Sequence, residues 1–107
     1  MPTRIQQLVS YVNEDPNDPF NHYALALEYA KSDSLKAIEI FNGLLKSHAD
    51  YVPTYYQLAK LYVVISENKK ALEVFDAGII IAGEKKDLKA LRELQSAKQE
   101  LLSDLED

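Results

Sequence analysis

The chain has 107 residues, 47% of them apolar and 27% charged, with a formal net charge of −5. That length suits one domain with a core of its own, and the composition argues against wholesale disorder. There is no cysteine, which removes a disulfide framework, a thiolate zinc site and a cysteine nucleophile together, while the acidic balance opposes a phosphate backbone and makes nucleic acid an unexpected partner.

From Thr3 the apolar residues Ile5, Leu8, Val9 and Val12 repeat at helical spacing and predict an amphipathic helix over residues 3–14. Asp15-Pro16 stops it. Asp18-Pro19 starts a second, because Asp caps free amides and Pro is tolerated in the first turn. Tyr23, Ala24, Leu27 and Ala30 continue that helix to about Lys31. Ser34 is the expected cap of a third, carrying Ala37, Ile38, Phe41, Leu44 and Leu45 and ending near His48. Pro53 opens a fourth with Tyr55, Leu58, Ala59 and Tyr62, and Asn68 is the expected cap of a fifth with Ala71, Leu72, Phe75, Gly78 and Ile79. Gly83 reads as its end. Val63-Val64-Ile65 and Ile79-Ile80-Ile81 have strand propensity but sit inside longer helical patterns, so they are read as helical. A last helix, over residues 86–105, has a stripe of Leu91, Leu94, Leu101 and Leu105. Its acidic end, Asp104-Leu105-Glu106-Asp107, opposes the helix dipole and is expected to fray.

Only three Gly and four Pro interrupt these patterns, so the expected class is all-α. Met1-Pro2-Thr3-Arg4-Ile5 lacks the apolar core of a signal peptide, and no apolar run approaches the ~20 residues that span a bilayer. The expectation is a cytoplasmic protein with no membrane partner.

Laid on itself, the sequence repeats. Ser34, Ala37 and Phe41 recur 34 residues later as Asn68, Ala71 and Phe75, whereas Leu25, Ala26 and Tyr29 recur 33 residues later as Leu58, Ala59 and Tyr62. The earlier unit therefore has one residue fewer in its inter-helix turn. Small residues at Ala26, Ala37, Ala59, Ala71 and Gly78 let helices approach closely, and Tyr29, Phe41, Tyr62 and Phe75 fill the spaces between them.

This arrangement resembles the tetratricopeptide repeat, a two-helix unit of this length with large and small residues at these places. The second unit carries the resemblance best, in Tyr55-x-x-Leu58-Ala59-x-x-Tyr62 followed by Ala71-x-x-x-Phe75-x-x-Gly78. In the first, His22 replaces a large aromatic and Leu44 stands where a small residue is usual. The resemblance implies helical hairpin repeats in a right-handed superhelical stack of about six helices. Residues 1–107 then form a single domain: an unpaired second-half helix (3–14), repeat 1 (18–49), repeat 2 (52–83) and a capping helix (86–105) with the character of a first half.

Candidate chemistry is sparse. His22 and His48 have no Cys, His or carboxylate at metal-ligand spacing on a shared helix face, and the 17 carboxylates are scattered over predicted solvent faces. No Gly-rich phosphate loop or Ser nucleophile turn is present. Lys69-Lys70 and Lys85-Lys86-Lys89-Arg92 read as solvated helix starts. The expectation is a protein that is not an enzyme and holds neither cofactor nor metal.

Seven tyrosines exceed what two small repeats need inside, and outward tyrosines make good contact residues. In proteins it resembles, the first helix of each unit lines an inner groove. The same register here presents Phe20, Tyr23, Leu27, Lys31, Pro53, Tyr56, Gln57, Lys60 and Val64. Members that grip acidic C-termini use a Lys and an Asn at places that hold Tyr23 and Leu27 here, so no carboxylate clamp is expected. The expected function is an adaptor that binds a protein or peptide segment on this apolar and aromatic surface. The alternative is a self-associating structural subunit, a homodimer or assembly component, with that surface covered by the last helix or by a second copy.

Overall fold

Several helices here start where a side chain takes up a free amide of the first turn, and several breaks fall where the sequence supplies Pro or a left-handed residue. In a computed structural model, which describes residues 1–106, six helices follow in order: α1 Arg4–Glu14, α2 Pro19–Tyr29, α3 Ser34–Ser47, α4 Pro53–Val64, α5 Asn68–Glu84 and α6 Leu88–Leu105. The class is all-α, as expected. Val63 and Val64 lie in α4, Ile79-Ile80-Ile81 lie in α5, and Ile65 falls in the turn after α4. α6 is helical through Leu105, and the Glu106 N–H donates to the Ser103 carbonyl at 3.2 Å. Asp107, last residue of the acidic end, lies outside the described residues.

Thr3 caps α1 reciprocally: its Oγ1 accepts from the Gln6 N–H at 3.1 Å while its own N–H donates to Gln6 Oε1 at 2.9 Å, so two free donors are satisfied at once. Asp18 accepts from the Phe20 N–H at 2.9 Å and Pro19 takes the first helical position. The caps of α3 and α5 differ from expectation by one residue. Asp33, not Ser34, caps α3 by accepting from the Lys36 N–H at 3.1 Å. A carboxylate is the stronger acceptor there and favours the positive end of the helix dipole. At α5 the cap position is Glu67, with no side-chain cap bond, and Asn68 is already helical.

Helix ends follow the backbone rather than glycine. Gly83 lies inside α5, whose turn closes through Lys86 at φ 57, with the Lys86 N–H on the Gly83 carbonyl and the Asp87 N–H on the Ala82 carbonyl. The end of α4 repeats this through Ser66 at φ 63, with the Ser66 N–H on Val63 and the Glu67 N–H on Tyr62. Paired bonds of this kind satisfy terminal carbonyls but need a left-handed residue. The turn after α2 has none; its Asp33 N–H returns to the Tyr29 carbonyl at 2.6 Å. The one-residue difference between the repeats thus falls here: α4 runs past Tyr62 and closes through Ser66, whereas α2 ends at Tyr29.

The chain forms two compact units, residues 1–54 and residues from Tyr55 onward. In the first, α2 packs on both α1 and α3. Its buried side chains include Leu8, Leu25, Ala26, Ala37, Ile38, Phe41 and Leu44. Leu44, where a small residue is usual, is thus accommodated in the interior, and Tyr29 is only half-buried. In the second unit α5 packs on α6, and Tyr55, Leu58, Ala59, Tyr62, Ala71, Phe75, Leu94 and Leu101 are buried. Gly78 marks the closest approach: a Cβ there would lie 2.6 Å from Tyr55 Cβ and 3.2 Å from Leu94 Cδ1. Only glycine fits without displacement.

Candidate functional site

The expected contact residues occupy the first helices of the two repeats, and each unit treats its share differently. On α2 the ring of Phe20 is 58% exposed and Lys31 extends into solvent, 3.0 Å from Glu28 Oε2. Tyr23 is turned partly inward. Its ring centroid lies 6.0 Å from that of Phe41 and 5.6 Å from that of Tyr51, the latter edge-on, so much of this tyrosine holds the unit together. Leu27 is half-buried and Pro53, at the start of α4, is exposed. Burial pushes the Tyr51 phenol above its ordinary range, and the negative charges that Tyr23 and Asp18 can carry push the same way.

In the second unit Val64 is 69% exposed, Lys60 is exposed, and Tyr56 and Gln57 are half-buried. Lys60 Nζ lies 5.7 Å from the Tyr56 ring centroid, within cation–π range. Tyr56 forms one wall of a cleft of ≈ 290 Å³ whose other wall is α6, through Arg92, Glu93, Ser96, Ala97 and Glu100. Beside it a smaller recess runs from Lys60 and Val63 to Leu101 and Asp104. The last helix therefore flanks Tyr56 and Lys60 without burying either. An apolar ring, a cation and several charged or hydroxylated side chains converge there.

The histidines serve the backbone. His22 Nε2 is 2.7 Å from the Pro16 carbonyl, and His48 Nε2 is 3.0 Å from the Asn17 carbonyl while its Nδ1 meets Ser47 Oγ at 2.9 Å. Both pin the α1–α2 turn. Among the described residues no three His, Asp or Glu side chains lie close enough together to hold a metal ion, and no helix is long and apolar enough to cross a membrane. A feature beyond the reach of periodicity is Thr54, fully buried with no hydrogen-bond partner for Oγ1.

No family model matches the sequence, and no curated protein sequence does. Solved structures do match. A solution NMR structure of a tetratricopeptide repeat domain protein from Salinibacter ruber is 42% identical with a TM-score of 0.78, covering 81% of this chain and 89% of that one. A crystal structure of a tetratricopeptide repeat domain protein from the same organism is 40% identical with a TM-score of 0.76, covering 80% and 97%. The crystal structure of MamA, 20% identical with a TM-score of 0.66 over 95% of this chain and 67% of that one, shares the fold. Identity of 40% or more over most of both chains, together with the small and aromatic residues that set the helix spacing, places this protein in the tetratricopeptide repeat family.

Proposed function

We propose that this protein is a non-enzymatic adaptor that holds an extended or helical segment of another protein through first-helix side chains. The supporting observation is the Tyr56 cleft, where an aromatic ring with Lys60 across its face stands open beside α6. An aromatic anchor next to a cation suits a partner segment that offers an apolar residue followed by an acidic one. Phe20, Leu27, Lys31 and Pro53 in the first unit and Gln57 and Val64 in the second are further contact residues in this reading. Tyr23 has a mixed role, since Phe41 and Tyr51 already engage its ring.

The test compares Tyr56→Ala with Tyr23→Ala. Partner proteins captured from extract by the wild-type chain are identified, and their affinity for each variant is measured beside thermal melting. Tyr56→Ala is expected to weaken binding by about tenfold or more, as loss of an aromatic anchor does, with little change in melting temperature. Tyr23→Ala is expected to lower both. Full binding by a folded Tyr56→Ala variant would overturn the assignment.

A further inference from the structure

We infer that copies of this protein associate head to tail, with α1 of one copy lying antiparallel against the exposed edge of α6 in the next. The contact uses neither Tyr56 nor Lys60 and meets the peptide surface proposed above only at Arg92, so Arg4 and Glu106, which lie outside that surface, separate the two readings. Two stripes carry the inference. On α1, Arg4, Gln7, Tyr11 and Glu14 share an exposed face beside the one that Leu8 packs on α2. On α6, Leu88, Arg92, Gln95, Gln99 and Leu102, with Glu106 just past the helix end, fall on one face at helical spacing, all exposed except the half-buried Leu102, and Gln95, Gln99 and Leu102 border α5. Between that edge and α5 runs a cleft of ≈ 480 Å³, with Ile79, Ile80 and Leu102 as its apolar part and the 2.6 Å Lys98–Asp76 ion pair within its lining. Ile80 is 63% exposed.

Charge decides the orientation. Both stripes are basic toward their N-terminal ends and acidic toward their C-terminal ends: Arg4 and Glu14 on α1, Arg92 on α6 and Glu106 at its C-terminal cap. Laid parallel, they would set like charges together at both ends. Laid antiparallel, Glu14 meets Arg92 and Arg4 meets Glu106. At 1.5 Å per residue the charges are ~15 Å apart on α1 and ~21 Å apart on α6, a difference that flexible side chains span. Tyr11 then falls beside the Ile80 and Leu102 cleft, adding an apolar anchor between two ion pairs. The order is also that of a repeat, in which a first-half helix is followed by an antiparallel second-half helix, as α3 follows α2.

Head-to-tail contacts leave a free α1 at one end and a free α6 edge at the other, so association continues past two copies, whereas a two-fold contact stops there. Glu14→Arg alone brings a second cation up to Arg92, and Arg92→Glu alone brings a second carboxylate up to Glu14. A mixture of the two variants allows junctions in which the charges are again opposite, with the pair exchanged end for end. Sedimentation velocity over a concentration series is expected to show wild-type mass rising above the 12.1 kDa of one chain. Each variant alone is expected to need about tenfold higher concentration for the same degree of association, and the equimolar mixture to recover toward wild-type behaviour. Both residues are exposed, and far-UV circular dichroism checks that the variants fold. If either does not, Arg4→Glu and Glu106→Arg repeat the test at the other end. A monomeric mass at every concentration, a mass that levels off at two copies, association indifferent to the single changes, or a mixture that fails to recover would each overturn the proposal.

Discussion

Gly78→Ala should destabilise this protein even though alanine is the better helix former. In an open helix position the exchange gains ~0.8–1.0 kcal/mol from backbone entropy. At Gly78 the added methyl would sit 2.6 Å from Tyr55 Cβ and 3.0 Å from its Cγ. Carbon atoms prefer ~3.5–4.0 Å, so the two backbones must part by about 1 Å. Tyr55 cannot swing aside, because the obstructing atom is the Cβ nearest its own backbone and the residue is only 4% exposed. Overpacking of this kind costs ~1–3 kcal/mol, which outweighs the propensity gain and leaves a net loss of about 1 kcal/mol. Gly43 and Gly83 are internal controls: both are helical, and a Cβ at either meets nothing within 4 Å. Gly43→Ala and Gly83→Ala should each stabilise by ~0.5–1 kcal/mol. Urea midpoints at constant slope measure all three, with thermal shifts of ~4–8 °C per kcal/mol as a cross-check. Stabilisation by Gly78→Ala equal to that of the controls would refute the close-approach argument.

Ser66→Gly and Lys86→Gly should each stabilise by ~0.5–1 kcal/mol, since a left-handed conformation costs a side-chain-bearing residue ~1–2 kcal/mol and glycine's extra chain entropy offsets only part of that; chemical denaturation reads the gain. Thr54→Val should raise stability by about 1 kcal/mol, because it removes a buried hydroxyl that has no partner while keeping the branched shape. Thr54→Ser, which keeps the hydroxyl and loses the methyl, should lower it. Tyr51 has a raised pKa in the fold, so its neutral form is favoured there. Its contribution is complete below the unfolded value of ~10 and is lost as pH rises through the folded one. Urea midpoints between pH 8 and 11 should therefore fall more steeply for the wild type than for Tyr51→Phe.

The hairpins were legible in the sequence because the interior tolerates few choices: Ala59, Ala71 and Gly78 occur where helices must touch, and Phe41 and Phe75 where space must be filled. Helix starts were less legible. Asp33 and Ser34 are both good caps and adjacent, and the choice depends on which oxygen reaches the Lys36 amide. Gly83 resembled a stop signal, yet a helix end needs one left-handed backbone position, and the turn geometry assigns it to Lys86. The proposed contact surface was the hardest part to read. Along α2 the run Tyr23-Ala24-Leu25-Ala26-Leu27 is apolar on every side, so periodicity does not separate the buried face from the presented one. Tyr23 and Tyr56 look alike as sequence, yet the first packs against Phe41 and Tyr51 while the second stands at an open cleft.

The helix connections are only three to five residues long, and α1 packs on α2, α2 on α3 and α5 on α6, each with its neighbour in the chain. Closing such short loops costs little entropy, and topologies dominated by nearby partners fold in microseconds to milliseconds. The same wiring suits synthesis on the ribosome, where the N-terminal part emerges first and can begin to fold before the rest is made. α2 and α3 can therefore close their hairpin while α6 is still unmade, which shortens the time for which Phe41, Leu25 and Ile38 stand exposed to other nascent chains.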